Sequence, residues 1–284
     1  MWGFGEGMAL LGLLRAGTDL GRPQWIDAVA DLVLPTLQGD PGPVDHLLAV
    51  DVLAELHRLR PAIDIDSAVA RFVRAVWHGE SPTPTHRPDL PDLCDTVWVD
   101  CMHTDGPGLA LAGLPDAATA AIMLARARLQ DLTGLFSHGY SITTRRANGV
   151  HWGRGQGWAL HGLIGARDRN GVQSLLNALS AVELDGQWRT IVDSPHAPIE
   201  HSVSALVASG IYRALRTGIV DASWRALADR AMHSALQALD GNGGLPVSSA
   251  TPAGPPAVYL DRTTGIYPWG QGPLLLALLD RENL

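Results

Sequence analysis

Lysine is absent from this 284-residue chain: its 21 basic residues are all arginine, set against 29 acids, for a formal net charge of −8. Apart from the Arg145-Arg146 pair the arginines are scattered, and no basic stripe forms. Binding a phosphate backbone needs concentrated positive charge, so the composition argues against a nucleic-acid partner. Cysteine is nearly absent as well: Cys94 and Cys101 alone make neither a disulfide framework nor a metal knuckle. No apolar run approaches the roughly 20 residues that cross a bilayer, which argues against a membrane role. The opening Met-Trp-Gly-Phe-Gly-Glu-Gly lacks the basic region of a signal peptide, so a cytoplasmic protein is expected. There is no Gly-x-Ser-x-Gly elbow and no His-Glu-x-x-His pair. His103, His151 and His161 fall into no ligand spacing, and neither a metal nor a cofactor is expected.

What is present is helical periodicity. No Pro/Gly/Ser linker or charge run divides the chain, so residues 1–284 read as one domain. Apolar positions recur three and four apart in eleven segments, and the segments are of two kinds. Residues 25–37, 67–77, 117–132, 172–182 and 224–239 carry a charged face, as helices with one wet side do. Residues 8–15, 44–59, 97–114, 157–166, 203–215 and 274–279 are small-residue-rich and apolar nearly all round, which requires burial. The two kinds alternate strictly. Six buried helices inside a ring of exposed ones predict an all-α (α/α)6 barrel, a toroid of helical hairpins. One outer helix is missing at the N-terminal seam. Either the chain start is short by a helix, or a second copy in a homo-oligomer covers the gap; sequence leaves both open.

The pattern Gly-x-Gly-x-(Ala/Leu)-Leu-x-(Gly/Ala)-Leu recurs at residues 5–13, 106–114, 155–163 and 270–278. It reads as a glycine pair opening each of several inner helices, with the preceding loops gathered at one rim. That rim then collects Trp2, Asp45, His46, Trp98, Asp100, His103, Trp152, Arg154, Trp158, Glu200, His201, Tyr259, Tyr267 and Trp269. Tryptophan faces stack on sugar C–H surfaces, and a planar guanidinium suits a carboxylate. The richest piece is Trp152-Gly153-Arg154-Gly155-Gln156-Gly157-Trp158. It follows no apolar strand and ends in a bulky ring, so it is not a dinucleotide loop. Asp100 lies in the apolar run Val97-Trp98-Val99-Asp100-Cys101-Met102, where lost solvation is expected to raise its pKa and suit it to general acid work. An N-cap or a satisfied buried carboxylate is the competing reading. Asp45 follows a Pro/Gly loop and reads from sequence as a helix cap. His138, in a polar loop, reads as an exposed side chain.

Taken together these residues resemble the unsaturated uronyl hydrolases of glycoside hydrolase families 88 and 105. The matching pieces are Trp2-x-Phe4-x-x-Gly7, Val44-Asp45-His46-Leu47, Trp98-Val99-Asp100-Cys101-Met102, His138-Gly139-Tyr140-Ser141, the Trp152 to Trp158 run, and the ten residues ending at Gly210. They span nearly the whole chain in family order; Trp-x-Arg-Gly-x-x-Trp is the most specific. Ser141 and Gln156 lean toward family 88, and the Tyr267-Pro268-Trp269-Gly270 end toward family 105. The resemblance implies an (α/α)6 barrel that removes the 4,5-unsaturated uronic acid left on oligosaccharides by polysaccharide lyases. It implies Asp100 as the acid/base that protonates C4 and activates water for C5, with Asp45 as the supporting aspartate. His138, Trp152, Arg154 and Trp158 are implied as the uronate pocket, with Trp2 beside it. The partner implied is an unsaturated uronyl oligosaccharide, with no metal or organic cofactor. Two other readings of the toroid are a sugar epimerase or isomerase using His138 and His201 as bases, and a non-catalytic sugar-binding barrel.

Overall fold

The computed structural model describes residues 4–39, 42, 45–77, 85–87 and 89–284; of Phe4 and Asp45 only the backbone is described. Trp2 lies outside the described residues. Inner helices α1 (Phe4–Asp19), α3 (Val50–Leu59), α5 (Met102–Leu111), α7 (Gly153–Gly165), α9 (His201–Arg216) and α12 (Pro268–Glu282) alternate with outer helices. The outer set is α2 (Pro23–Leu37), α4 (Asp66–Val76), α6 (Pro115–Leu129), α8 (Arg169–Ala181) and α10 (Arg225–Gln237). A single turn, α11 (Ala257–Leu260), precedes α12. This is the (α/α)6 toroid, with five outer helices among the described residues. Inner α7 is buried from Gly153 to Ile164 without interruption, whereas α8 buries only the stripe Gly171, Val172, Leu175, Leu176, Ala178 and Leu179. Caps follow the sequence: Asp168 accepts from the Gly171 N–H to start α8, and Pro23, Pro115 and Pro268 open α2, α6 and α12 without wasting a donor.

Four copies of the glycine pattern fall in α1, α5, α7 and α12, and they work as contact points between helices. A Cβ on Gly162 would lie 2.3 Å from the Met102 carbonyl oxygen; one on Gly272 would lie 2.4 Å from the Ala9 nitrogen. Gly157 is held as tightly against Leu206, at 2.6 Å. Inner helices approach backbone to backbone, and only glycine permits it. The copy at 106–114 departs from expectation: its glycine pair sits in mid α5 against Ile122 and Phe72, and Gly113 ends the helix at φ +82°.

Two of the expected inner segments are broken at their starts. Residues 44–59 divide into a 3-10 turn, Asp45–Leu47, and then α3, whose N-cap is Ala49. Asp45 is therefore not the cap of α3. Residues 97–114 divide into strand β1 (Thr96–Trp98), a 3-10 turn Val99–Cys101, and α5. β1 pairs antiparallel with β2 (Gly139–Ser141), Val97 facing Tyr140, and β2 pairs with β3 (Arg146–Ala147), the short ribbon expected near residues 140–144. A second hairpin, β4 (Pro246–Ser248) with β5 (Thr264–Ile266), carries no helical signal and was not expected.

Candidate active site

A cavity of about 340 Å³ opens at the end of the barrel where inner helices begin. It is lined by Trp98, Asp100, Trp152, Arg154, Trp158 and Trp269, together with Gly5, Glu6, His86, Arg87, Leu93 and the 250–252 loop. Asp100 reaches it because the 3-10 turn takes over directly after Trp98, the last residue of β1, and sets Trp98 and Asp100 into the same space. The sequence pattern thus does converge: Trp152, the N-cap of α7, and Arg154 and Trp158, one helical turn apart on α7, wall the same cavity.

Asp100 is 2% exposed and is not an N-cap. Its Oδ2 lies 2.9 Å from His138 Nε2, and His138 Nδ1 lies 2.8 Å from the Tyr259 hydroxyl. That hydroxyl accepts from Asn148 Nδ2 and from the Gly254 N–H, each at 3.2 Å. With both lone pairs engaged, Tyr259 gives its own proton to Nδ1, so His138 carries hydrogen on Nε2 and donates it to Asp100. The His138 backbone is pinned on both sides, donating to the Val150 carbonyl and accepting from the Val99 N–H. His138 is fully buried, stacked on Trp152 at 4.3 Å, and stands behind Asp100 and not in the cavity wall. It is neither the exposed loop residue of the sequence reading nor a direct lining group. Burial alone pushes the Asp100 carboxyl up, as expected. The interaction with His138, 2.9 Å away, outweighs that and holds it below the ordinary carboxylate range. The expected upward shift is thereby reversed, because a partner 38 residues away in sequence faces the carboxylate.

Arg154 is 2% exposed and sandwiched: its guanidinium carbon lies 5.0 Å from the Trp152 ring and 5.3 Å from the Trp269 ring. Its Nη2 donates to the Ser248 carbonyl (2.8 Å) and hydroxyl (2.5 Å), while Glu200 Oε2 stands off at 3.9 Å. Burial brings its pKa down to about 10, against the raising fields of Glu200 and Asp100, so it stays a cation at neutral pH. Glu200 caps α9 through Ser202 and accepts from the Ser248 N–H, which ties the hairpin β4–β5 to Arg154. Two buried donors here have no partner among the described residues, Arg154 Nε and Trp152 Nε1. Orphaned buried donors are uncommon and call for a reason. Trp158 stacks on His103 at 4.9 Å, which fixes the rear wall.

Asp45 is placed by its backbone in the turn Asp45–Leu47, and its side chain is outside the described residues. Sequence reasoning missed His86, stacked on Trp98 at 3.9 Å, the loop 250–252, and Tyr259 as the anchor of His138. The only signal for Tyr259 was its place before the last inner helix. His201 is set apart from this cavity, in a separate one of about 180 Å³ with Arg262 and Glu200. No described helix is long and apolar enough to cross a membrane.

The fold is shared with solved structures. A protein from Klebsiella pneumoniae, described as a possible member of glycoside hydrolase family 105, is 21% identical, with a TM-score of 0.86 over 100% of this chain and 83% of its own. A family 105 glycoside hydrolase from C. acetobutylicum is 17% identical, with a TM-score of 0.76 over 100% and 94%. The unsaturated glucuronyl hydrolase of Bacillus sp. GL1, responsible for the degradation of glycosaminoglycan, is 16% identical, with a TM-score of 0.72 over 98% and 86%. No curated protein matches the chain. The model for Glycosyl Hydrolase Family 88 matches residues 1–284 throughout. A buried carboxylate lining a tryptophan-walled cavity, in a barrel that this family's model covers from end to end, makes the chain a glycoside hydrolase belonging to Glycosyl Hydrolase Family 88.

Proposed function

We propose that this hydrolase removes a 4,5-unsaturated uronic acid from the non-reducing end of oligosaccharides produced by polysaccharide lyases. One observation carries the reading: Asp100 shares its cavity with the Arg154 cation and with the rings of Trp98, Trp152, Trp158 and Trp269. A uronate carboxylate entering beside Arg154 meets a cation, and the first turns of α1, α7 and α12 add positive helix ends to the same space. The sugar ring then lies between tryptophan faces with C4 and C5 toward Asp100.

The chemistry follows from charge. The free carboxylate of Asp100 is held ionised, and an incoming uronate anion brings a second negative charge beside it, which raises its proton affinity. Binding therefore draws a proton onto Asp100. Asp100 gives that proton to C4, and the cation at C5 is stabilised by the ring oxygen. Water adds at C5 and returns a proton to Asp100. The resulting hemiketal opens to a C5 ketone, and the hemiacetal left at C1 expels the next sugar. One water is consumed and no bond to the protein forms. The attack is on the double bond, so carboxylate-separation rules for anomeric hydrolysis do not apply. His138 orients Asp100 and Tyr259 orients His138.

Lyase-generated disaccharides absorb in the ultraviolet through the enol ether conjugated to its carboxylate. Adding the protein should abolish that absorbance. Asp100→Asn should keep substrate binding and lower kcat by about 10²–10⁴-fold, the range for removal of a general acid/base. Unchanged absorbance across glycosaminoglycan, pectin and ulvan fragments sinks the proposal, and binding without turnover by the unaltered protein makes it a sugar-binding barrel.

A further inference from the structure

At the Trp98 side of the cavity, which His86 also lines, three side chains to which the proposed reaction gives no role meet: His46, His86 and Cys101. All three are buried, and one ring nitrogen of each imidazole and the Cys101 Sγ lie within 4.8 Å of one another. His86 Nδ1 is 3.4 Å from Sγ. The edges of a tetrahedral zinc site built from imidazole and thiolate are roughly 3.3–3.6 Å, given metal–nitrogen distances near 2.0–2.1 Å and a metal–sulfur distance near 2.3 Å. One edge is thus already in place, and the widest separation closes with about an ångström of side-chain adjustment. The His46 ring is tied to the backbone of His86, its Nε2 lying 2.9 Å from the His86 carbonyl oxygen. His86 is also held face to face with Trp98, with 11° between the planes. The sequence spacing 46, 86, 101 matches no metal motif, which is why only the fold reveals the set.

We propose that His46, His86 and Cys101 form a site for a single thiophilic divalent cation of the zinc type, with its remaining position open to water. Carboxylate-preferring ions such as magnesium are disfavoured by this nitrogen and sulfur donor set. When the metal binds, the Sγ–H bond breaks, its proton goes to solvent, and the Sγ–metal bond forms; no redox change occurs. The placement gives the site a consequence. His46 follows Asp45 in the chain, Cys101 follows Asp100, and His86 backs Trp98, so one ion joins the two aspartate-bearing turns and a cavity wall. The inference is independent of which sugar the enzyme cleaves.

Cobalt(II) reports such a site directly, since a bound thiolate gives a near-ultraviolet charge-transfer band and four-coordination intensifies the visible absorption. Chelator-treated, full-length protein titrated with cobalt(II) should develop both signals, saturate at one equivalent, and lose them when zinc(II) is added. Cys101→Ser should abolish the charge-transfer band while Cys94→Ser keeps it. His86→Ala should weaken binding by more than the roughly 10–100-fold that outer-sphere changes cost. Circular dichroism checks that each variant is folded, and the unaltered protein alone decides the matter if a variant is not. Absence of the thiolate band in the unaltered protein overturns the site, as does a band that follows Cys94 in place of Cys101.

Discussion

Gly162→Ala adds one methyl group where helix α7 crosses the entrance of α5, and the structure sets its cost. The new Cβ would stand 2.3 Å from the Met102 carbonyl oxygen, 2.6 Å from its carbonyl carbon and 2.9 Å from its Cβ. Ordinary contact requires about 1 Å more, and the obstacle is backbone, so no rotamer change relieves it. Overpacking of this kind costs typically 1–3 kcal/mol, and a backbone clash belongs at the upper end. Alanine returns about 1 kcal/mol through its better helix propensity. The net loss is about 2 kcal/mol. An unfolding entropy near 2.1 cal/mol/K per residue is roughly 0.6 kcal/mol/K for this chain, so Tm should fall by about 3–4 °C. Activity should suffer more than stability. Met102 is two residues from Asp100, while Arg154 and Trp158 ride on α7, so relief of the clash shifts that wall of the cavity against Asp100. A displacement near 1 Å can cost about 10²-fold in rate. Gly241→Ala is the matched control: nothing lies within 4 Å of its Cβ, and both Tm and kcat should hold. Calorimetry and the enol-ether absorbance assay read the two effects. A Gly162→Ala protein indistinguishable from Gly241→Ala would refute the backbone contact between α7 and the Asp100 turn.

Arg154→Lys keeps a cation but loses the plane held between Trp152 and Trp269 and the fork that meets a carboxylate, so KM should rise by more than kcat falls; equal effects on both in initial-rate measurements would contradict a role in uronate binding. Tyr259→Phe removes the proton that fixes the His138 tautomer and leaves Asn148 Nδ2 and the Gly254 N–H short of an acceptor. It should cost about 1–3 kcal/mol in denaturant unfolding and displace the pH profile of kcat/KM, which a purely packing role would leave in place. Asp105 is buried, and burial raises its pKa to about 8 despite the Thr104 hydroxyl bond. Between the unfolded value near 3.9 and about 8 the folded state holds a proton the unfolded state has released, so this group's contribution to stability falls as pH rises. Asp105→Asn should therefore raise Tm at pH 8 and gain nothing near pH 4; the same gain at both values would show that Asp105 does not titrate as described.

Much of the barrel was legible from residue pattern alone, because burial on one side or on all sides leaves different periodicities. Residues 172–182 keep polar side chains on one flank and became α8, while residues 157–166 have none to spare and became the fully buried α7. The tryptophans and arginine of α7 were legible for a related reason: large, costly side chains among glycines have little to do in a core, and Trp152, Arg154 and Trp158 do wall the cavity. Other features had no local signature. The hairpin β4–β5 is three residues a side, too short for alternation to register, yet its Ser248 holds Arg154 in place. The starts of the segments at 44–59 and 97–114 are apolar enough to continue a helix, and only the pairing of Val97 with Tyr140 draws the latter into a strand.

What the chain determined by itself is its class and its inventory: alternating wet and dry helices, glycines at intervals that allow close packing, and an acid, a cation and aromatic rings at helix starts. These follow from side-chain chemistry and from spacing within a few residues, both of which survive in a linear string. What the tertiary structure decided is which of those groups touch. His138 reaches Asp100 across 38 positions, and Tyr259 reaches His138 across 121. The protonation of a buried carboxylate depends on whatever stands within a few ångströms of it, whereas its sequence neighbours tell only that water is excluded. From sequence Asp100 was a carboxylate short of water; in the folded barrel it is one held ionised by a histidine.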